Sequence, residues 1–214
     1  MREAMRDSRD GAAGKPSKPE TLTDWLRGRF AGVIDPLARR LGRVGISPNA
    51  ISILGFLLQA GVGLLFWSGR LRLGGIILFF GAPLDALDGA VARANGKDGR
   101  FGAFLDSTLD RLSDAVLILG LTAHQIRAEA YLDVGLLMTA LVGAFMVSYT
   151  RARAESLGAS CKVGLLTRLE RILLIALLTA VGRATVLAWA LAVLSALTVV
   201  QRVVHVHRAC ADPD

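Results

Sequence analysis

Four aspartates between positions 85 and 110 have residue types and a spacing that suit chemistry. Asp85 and Asp88 are three residues apart. Asp106 and Asp110 are four residues apart, so each pair lies on one face of a helix. The connector at 94–100 contains one asparagine and two glycines and can turn tightly, which lets the two acidic faces meet. Four converging oxygen donors suit one or two divalent cations, Mg²⁺ or Mn²⁺, so the spacing predicts a metal site.

The apolar sequence around these aspartates strengthens the metal interpretation. Strongly apolar segments flank them at 71–84 and 115–123. A carboxylate deep in a bilayer costs about 2.5–3.5 kcal/mol, so four of them need a compensating partner. A metal ion supplies that charge and lets the carboxylates stay ionised. The alternative is that the polar residues line an ion path or form solvated helix ends.

Small and basic residues between the two pairs suit a phosphate-bearing ligand. Gly89 and Ala92 share the face of the first aspartate pair, and their small size lets a ligand touch the backbone. Arg93 offers a planar fork to phosphate oxygens. Gly102 stands one turn before the second pair and permits close approach of another helix.

The whole pattern, D-x2-D-G-x2-A-R-x8-G-x3-D-x3-D, resembles the signature of the CDP-alcohol phosphatidyltransferases at every fixed position. The resemblance covers roughly residues 22–208 and implies transfer of a phosphatidyl group from CDP-diacylglycerol to an alcohol, with release of CMP. It implies a metal site at Asp85, Asp88, Asp106 and Asp110, with Asp110 also the catalytic base, and a homodimer. The CDP-binding residues that it implies are Asn49, Ser52, Asp85, Asp88, Gly89, Ala92 and Arg93.

Four arginines gather at two predicted helix ends on the side of the aspartates. Arg151 and Arg153 end the fourth apolar segment, and Arg168 and Arg171 begin the fifth. The preference for positive charge at cytoplasmic helix ends accounts for arginines there without any function. The cluster also suits an acceptor that carries its own phosphate. The sequences around both helix ends resemble those of family members that make phosphatidylinositol phosphate.

The acceptor stays open between two phosphorylated polyols. Thr167 and Leu169 stand where the phosphatidylinositol phosphate-making members tend to have Glu and Pro. Inositol phosphate is the first choice, and glycerol 3-phosphate, the acceptor of a phosphatidylglycerophosphate synthase, is the alternative. A divalent-cation transporter that uses the same carboxylates is an interpretation from another class, and a catalytically inactive lipid-binding relative is a third.

Composition predicts one all-helical integral membrane domain. Hydrophobic residues make up 53% of the 214 residues, and the mean hydropathy is +0.49. The sequence divides into a disordered polar tail at 1–20, a juxtamembrane amphipathic helix at 21–46, a six-helix membrane domain at 47–208 and a tail at 209–214. The six predicted transmembrane helices are Pro48–Trp67, Leu73–Ala92, Phe101–Thr122, Tyr131–Ala152, Leu166–Val181 and Thr185–Val204.

The distribution of charge predicts the orientation. With a cytoplasmic N-terminus, 20 of the 25 Lys and Arg residues fall in cytoplasmic segments and four in outer ones. Both termini, the aspartates and the arginine cluster then lie on the cytoplasmic side of the inner membrane. We attribute the net charge of +7 to contact with anionic lipids. A nucleic-acid partner is not expected, because no basic stripe with interleaved aromatic residues occurs.

Two further interpretations concern packing inside the membrane. Small residues in the fourth predicted helix, Ala140, Gly143 and Ala144, offer a face on which a second copy of the chain can pack. Asp114 continues the face of the second aspartate pair by one turn. We interpret it as a structural partner of Arg111, with a further charge of the inner site as the alternative.

Overall fold

The computed structural model describes residues 47–81 and 99–211. These residues form six α-helices and no strand, which confirms the all-helical prediction for this part of the chain. The helices are α1 Pro48–Trp67, α2 Leu71–Gly81, α3 Arg100–Arg127, α4 Tyr131–Ser156, α5 Arg168–Ala180 and α6 Ala184–Ala211.

Three of the helices, α1, α4 and α6, are long and apolar enough to cross a membrane. Large apolar side chains such as Leu64, Phe80 and Val142 are exposed on the outside of the bundle. Water-soluble monomers rarely carry that much exposed apolar surface, whereas lipid tails cover it readily. The chain is therefore a membrane protein. The predicted tail at 1–20, the amphipathic helix at 21–46 and the second half of the second predicted span, from residue 82, lie outside the described residues.

The helices pack in pairs around one apolar core. Helix α1 lies against α3, α4 against α6, and α2 against α5. The core contains fully buried side chains from several helices, among them Phe66, Leu117, Ile175 and Leu187. In a membrane this packing is stabilised by close contact rather than by exclusion of water, so the fit of neighbouring surfaces decides which helices associate.

Helices α1 and α3 run parallel with their backbones in contact. A Cβ atom built on Gly120 would lie 2.2 Å from the carbonyl oxygen of Gly63, and one built on Gly63 would lie 2.6 Å from that of Val116. At the far end of the pair the Arg127 guanidinium donates a hydrogen bond to the Trp67 carbonyl oxygen. The absence of side chains at these glycines is therefore what lets the two helices approach so closely.

The small-residue face of α4 is covered within the monomer. Ala140 and Ala144 are buried, and a Cβ atom on Gly143 would lie 2.6 Å from the Cβ of Ser195 in α6. The prediction that this face offers a surface to a second copy is wrong, because α6 of the same chain already occupies it.

A buried polar cluster joins three helices at the end of the bundle where α3 ends and α4 begins. The Gln125 amide nitrogen donates to Asp133 Oδ2 over 2.5 Å, and the Thr185 hydroxyl donates to the same oxygen over 2.7 Å. The two bonds offset part of the cost of burying the Asp133 carboxylate and tie α3, α4 and α6 together.

Helix α5 begins two residues later than predicted. The Leu165 N–H donates to Gln201 Oε1 over 3.2 Å, and the Leu166 N–H donates to Thr198 Oγ1 over 3.0 Å. These contacts with α6 hold the chain in a non-helical path until Arg168. Helices α3, α4 and α6 instead run past their predicted ends at 122, 152 and 204.

A methyl group at position 63 should destabilise the bundle, whereas one at position 61 should not. Gly63→Ala forces apart the backbones of α1 and α3, and overpacking of this kind costs about 1–3 kcal/mol. Gly61 lies on the same helix with open space where a Cβ would stand. Gly61→Ala should therefore be neutral or more stable by up to about 1 kcal/mol, because alanine favours the helix. Thermal unfolding in detergent micelles measures both, and equal unfolding temperatures would contradict the close approach.

Candidate functional site

Two of the four predicted metal ligands lie on the first half of α3. Asp106 and Asp110 are half-buried and one helical turn apart. Their carboxylates are hard oxygen donors and fit a divalent cation such as Mg²⁺ or Mn²⁺. Across residues 47–81 and 99–211 no group of three or more possible ligands comes together. The other predicted site residues of this motif, Asp85, Asp88, Gly89, Ala92 and Arg93, lie outside the described residues, so the convergence of four carboxylates stays a prediction.

The start of α1 lies beside the start of α3. Ser47 caps α1 by accepting a hydrogen bond from the Ala50 N–H over 3.2 Å. A Cβ atom built on Gly102 would lie 3.2 Å from Asn49 Oδ1, so the Asn49 side chain stands against the glycine of the motif. Ser52, one turn on, donates to the Pro48 carbonyl oxygen over 3.4 Å. The structure thus brings Asn49, a predicted CDP-binding residue, next to the helix that carries the aspartates.

An ion pair joins the predicted base to a predicted acceptor-binding arginine. Arg168, the first residue of α5, has its Nη1 atom 3.1 Å from Asp110 Oδ1. Both side chains are 24% exposed, so the pair is partly screened from water but reachable by it. A cationic group and a carboxylate therefore meet at one point, where the guanidinium can bind an anionic group and the carboxylate can accept a proton or bind a cation.

A second ion pair lies beside the first, deeper in the bundle. Arg171 Nη2 is 3.1 Å from Asp114 Oδ2, and the side chains are 1% and 5% exposed. The interpretation of Asp114 as a structural residue agrees with this burial, but its ion-pair partner is Arg171, not Arg111, whose guanidinium donates to the Ser107 carbonyl oxygen. The Nε and Nη1 atoms of Arg171 are buried and have no hydrogen-bond partner among the described residues.

The other two predicted acceptor-binding arginines are exposed on the last turns of α4. Arg151 Nε is 2.8 Å from Glu155 Oε1, with both side chains about half exposed at 51% and 50%. Arg153 donates to the Ser156 hydroxyl over 3.4 Å. Neither makes a direct contact with Asp106 or Asp110 in the part of the chain that the structure describes.

Arg202, for which the sequence predicts only a position on the cytoplasmic side, is buried in this region. It is 3% exposed and donates to the carbonyl oxygens of Val163, over 2.9 Å, and of Val147. Its position in the last turn of a predicted apolar span indicates a special role from sequence alone, because arginines are rare inside membranes unless they have a function.

A family model described as CDP-alcohol phosphatidyltransferase matches residues 45–201. The archaetidylinositol phosphate synthase of Pyrococcus horikoshii is 40% identical over 179 residues, which cover 83% of this chain and 93% of that protein. The phosphatidylinositol phosphate synthase of Mycobacterium tuberculosis is 38% identical over 191 residues, which cover 82% and 86%.

The fold is similar to crystal structures of the M. tuberculosis phosphatidylinositol phosphate synthase. The structure with CDP-DAG bound has a TM-score of 0.76 at 35% identity and covers 82% of this chain and 94% of that one. The complex with manganese and citrate has a TM-score of 0.75 at 35% identity and covers 82% and 89%.

Removal of Asp114 should destabilise the protein far more than removal of Glu155. Asp114→Ala leaves the charge of Arg171 buried without its ion-pair partner, which costs about 3–5 kcal/mol. Glu155→Ala breaks an exposed pair and should cost less than about 1 kcal/mol. Unfolding temperature and the yield of monodisperse protein in micelles measure both.

The double variant Asp114→Leu, Arg171→Met separates the ion pair from the packing around it. It removes both charges together, so it should recover most of the stability lost in Asp114→Ala. An Asp114→Ala protein as stable as the Glu155→Ala protein would contradict the buried pair.

Proposed function

Because the chain belongs to the CDP-alcohol phosphatidyltransferase family, we propose that it transfers a phosphatidyl group from CDP-diacylglycerol to inositol phosphate. The products are CMP and phosphatidylinositol phosphate. The observation that carries the choice of a phosphorylated acceptor is the contact between Arg168 and Asp110. It puts a phosphate-binding group beside a carboxylate that can take the proton of the attacking hydroxyl.

The donor is proposed to bind where α1 and α3 begin. The M. tuberculosis relative holds CDP-DAG in its crystal structure, and Asn49 lies against Gly102 at this point of the present chain. The apolar outer faces of the helices suit the lipid tails. The proposed CDP-binding residues are Asn49, Ser52, Asp85, Asp88, Gly89, Ala92 and Arg93.

A divalent cation, Mg²⁺ or Mn²⁺, fits the donor set of the site. A relative was crystallised with manganese, and the carboxylates of Asp106 and Asp110 provide hard oxygen donors one turn apart on α3. When bound, such an ion offsets negative charge on the pyrophosphate and on the leaving CMP. The residues proposed to hold it are Asp85, Asp88, Asp106 and Asp110.

The side chains then divide the work of transfer between proton removal and positioning. Asp110 accepts the proton of the acceptor hydroxyl, while the oxygen of that hydroxyl forms a bond to the lipid-side phosphorus. The bond from that phosphorus to the CMP oxygen breaks, and CMP leaves with the electron pair. The acceptor phosphate is held by arginines, which lower the barrier by fixing the hydroxyl in line with the leaving group. They are Arg151, Arg153, Arg168 and Arg171. Arg171 keeps its Nη2 atom on Asp114 and offers the phosphate its Nε and Nη1 atoms, which have no hydrogen-bond partner among the described residues.

The proposed setting is the inner membrane, with six transmembrane helices, an amphipathic helix at 21–46, cytoplasmic termini and a cytoplasmic active site. The contacts of Asp110 with Arg168 and of Asn49 with Gly102 occur at the end of the bundle that carries most of the positive charge, which supports this orientation. A homodimer is also proposed. It must use a surface other than the small-residue face of α4, which is buried.

An acceptor panel tests the proposal. With CDP-diacylglycerol and Mn²⁺, CMP release should be at least about tenfold faster with inositol phosphate than with unphosphorylated inositol, because only the phosphate engages the arginines. Glycerol 3-phosphate is the matched alternative, since it carries the same phosphate on a smaller polyol. Equal rates with inositol would reject a phosphate-reading site, and a faster rate with glycerol 3-phosphate would identify a phosphatidylglycerophosphate synthase.

Asp88→Asn should abolish CMP release without unfolding the protein. The substitution keeps the shape of the side chain but removes a charge proposed to bind the metal. Glu129→Gln, an exposed acid at the other end of the bundle, is the control and should keep full activity. Helical content by circular dichroism confirms folding of both. An active Asp88→Asn protein would reject the metal assignment.

A further inference from the structure

Arg168 contacts Asp110 directly, yet both side chains have proposed tasks that require other partners. Arg168 is proposed to bind the acceptor phosphate, and Asp110 to bind a metal ion and take a proton. We propose that Arg168 couples these events: an acceptor phosphate draws its guanidinium from Asp110 and so makes the carboxylate available. The inference rests on the proposed function and names the residue that turns phosphate recognition into selectivity.

The two neighbouring ion pairs differ in the way that this coupling requires. Asp110 and Asp114 are one turn apart on α3, and Arg168 and Arg171 are one turn apart on α5. The inner pair is almost completely buried at 1% and 5% exposure, whereas both members of the outer pair are 24% exposed. A buried pair is very costly to separate, because each charge would remain in a medium of low polarity. A pair within reach of water can exchange one ionic partner for another.

The backbone at Arg168 is fixed, so that only its side chain needs to move. The residues before it are held to α6 through the Leu165 and Leu166 N–H groups, which donate to Gln201 and Thr198. The residue three positions after it, Arg171, holds α5 to α3 through the buried pair. An acceptor phosphate can therefore rotate the Arg168 side chain without moving the helix.

Competition for one carboxylate makes the coupling a matter of thermodynamic linkage. The guanidinium of Arg168 and a divalent cation both bind the Asp110 carboxylate, so each weakens the binding of the other. An anion on Arg168 relieves that competition and strengthens metal binding, and by reciprocity the metal strengthens anion binding. An acceptor without phosphate leaves the guanidinium on the carboxylate. Selectivity for phosphorylated acceptors then arises partly from the state of the base and not from affinity alone.

Mn²⁺ titration of the full-length protein in micelles tests the coupling without turnover. Isothermal calorimetry is run with no CDP-lipid, with and without inositol phosphate, and is corrected for Mn²⁺ binding to free inositol phosphate. In the wild-type protein inositol phosphate should tighten Mn²⁺ binding about fivefold, the lower end of ordinary coupling. Arg168→Gln should bind Mn²⁺ about fivefold tighter from the start and show no response to inositol phosphate.

Matched variants separate the coupling from general charge effects. Arg208→Gln removes one exposed cation from the last turn of α6 and should keep the wild-type response. Arg168→Met provides a second neutral side chain, so whichever of the two neutral variants folds carries the test. A neutral variant that binds Mn²⁺ with wild-type affinity, or still responds to inositol phosphate, would overturn the coupling.

The same titration keeps this inference apart from the proposed function. Transfer to inositol phosphate with no coupling in the titration would overturn the role of Arg168 alone. Coupling in the titration supports it whatever the acceptor panel shows, because that panel tests the transfer reaction and the titration tests the binding of two ligands.

Discussion

The buried ion pair between Asp114 and Arg171 is the constraint on which the rest of the site depends. Removing two charges from water costs several kcal/mol for each ion, and that cost is offset only when the partners meet at short range with good geometry. Helix α5 packs mainly against α2, where a Cβ atom built on Gly75 would lie 2.4 Å from Thr179 Oγ1, and it meets α3 chiefly through the two ion pairs. The pair fixes one register, and in that register Arg168 meets Asp110 one turn away.

Close backbone contact fixes the register of α1 on α3, as the buried ion pair fixes that of α5 on α3. Gly63 and Gly120 bring the two backbones together in mid-bundle, so that Asn49 and Gly102 stand side by side at one end. The opposite end is tied through the Asp133 carboxylate, which accepts hydrogen bonds from two other helices. The polar groups at the Asp133 end of the bundle thus find hydrogen-bond partners within the chain. The end that carries Asn49 and Asp110 holds partly exposed charges that can bind a ligand.

The sequence predicts well those features that depend on one helix at a time. Periodicity and the Ser47–Pro48 cap place α1 at its observed bounds, and the spacing of Asp106 and Asp110 puts them one turn apart. Features that depend on the register between helices escaped prediction. The spacing on α3 alone could not choose between Arg111 and Arg171 as the partner of Asp114, and the small residues of α4 gave no sign that α6 would cover them. Convergence of these aspartates with Asp85 and Asp88 stays a prediction.

The position of an arginine in the sequence does not reveal its role, whereas its partner in the structure does. From the sequence, a preference for cytoplasmic positive charge explains Arg151, Arg168 and Arg202 equally well, because that rule counts residues and does not consider where their side chains point. In the structure their environments differ: Arg151 is exposed beside Glu155, Arg202 is buried on two carbonyl oxygens, and Arg168 is half-buried on a carboxylate. Only the last arrangement puts a cation where losing its present partner would change the chemistry of another residue. Lipid tails meet apolar helix faces that offer no directional contact, so the proposed discrimination between acceptors is assigned to the charged groups at this end of the bundle.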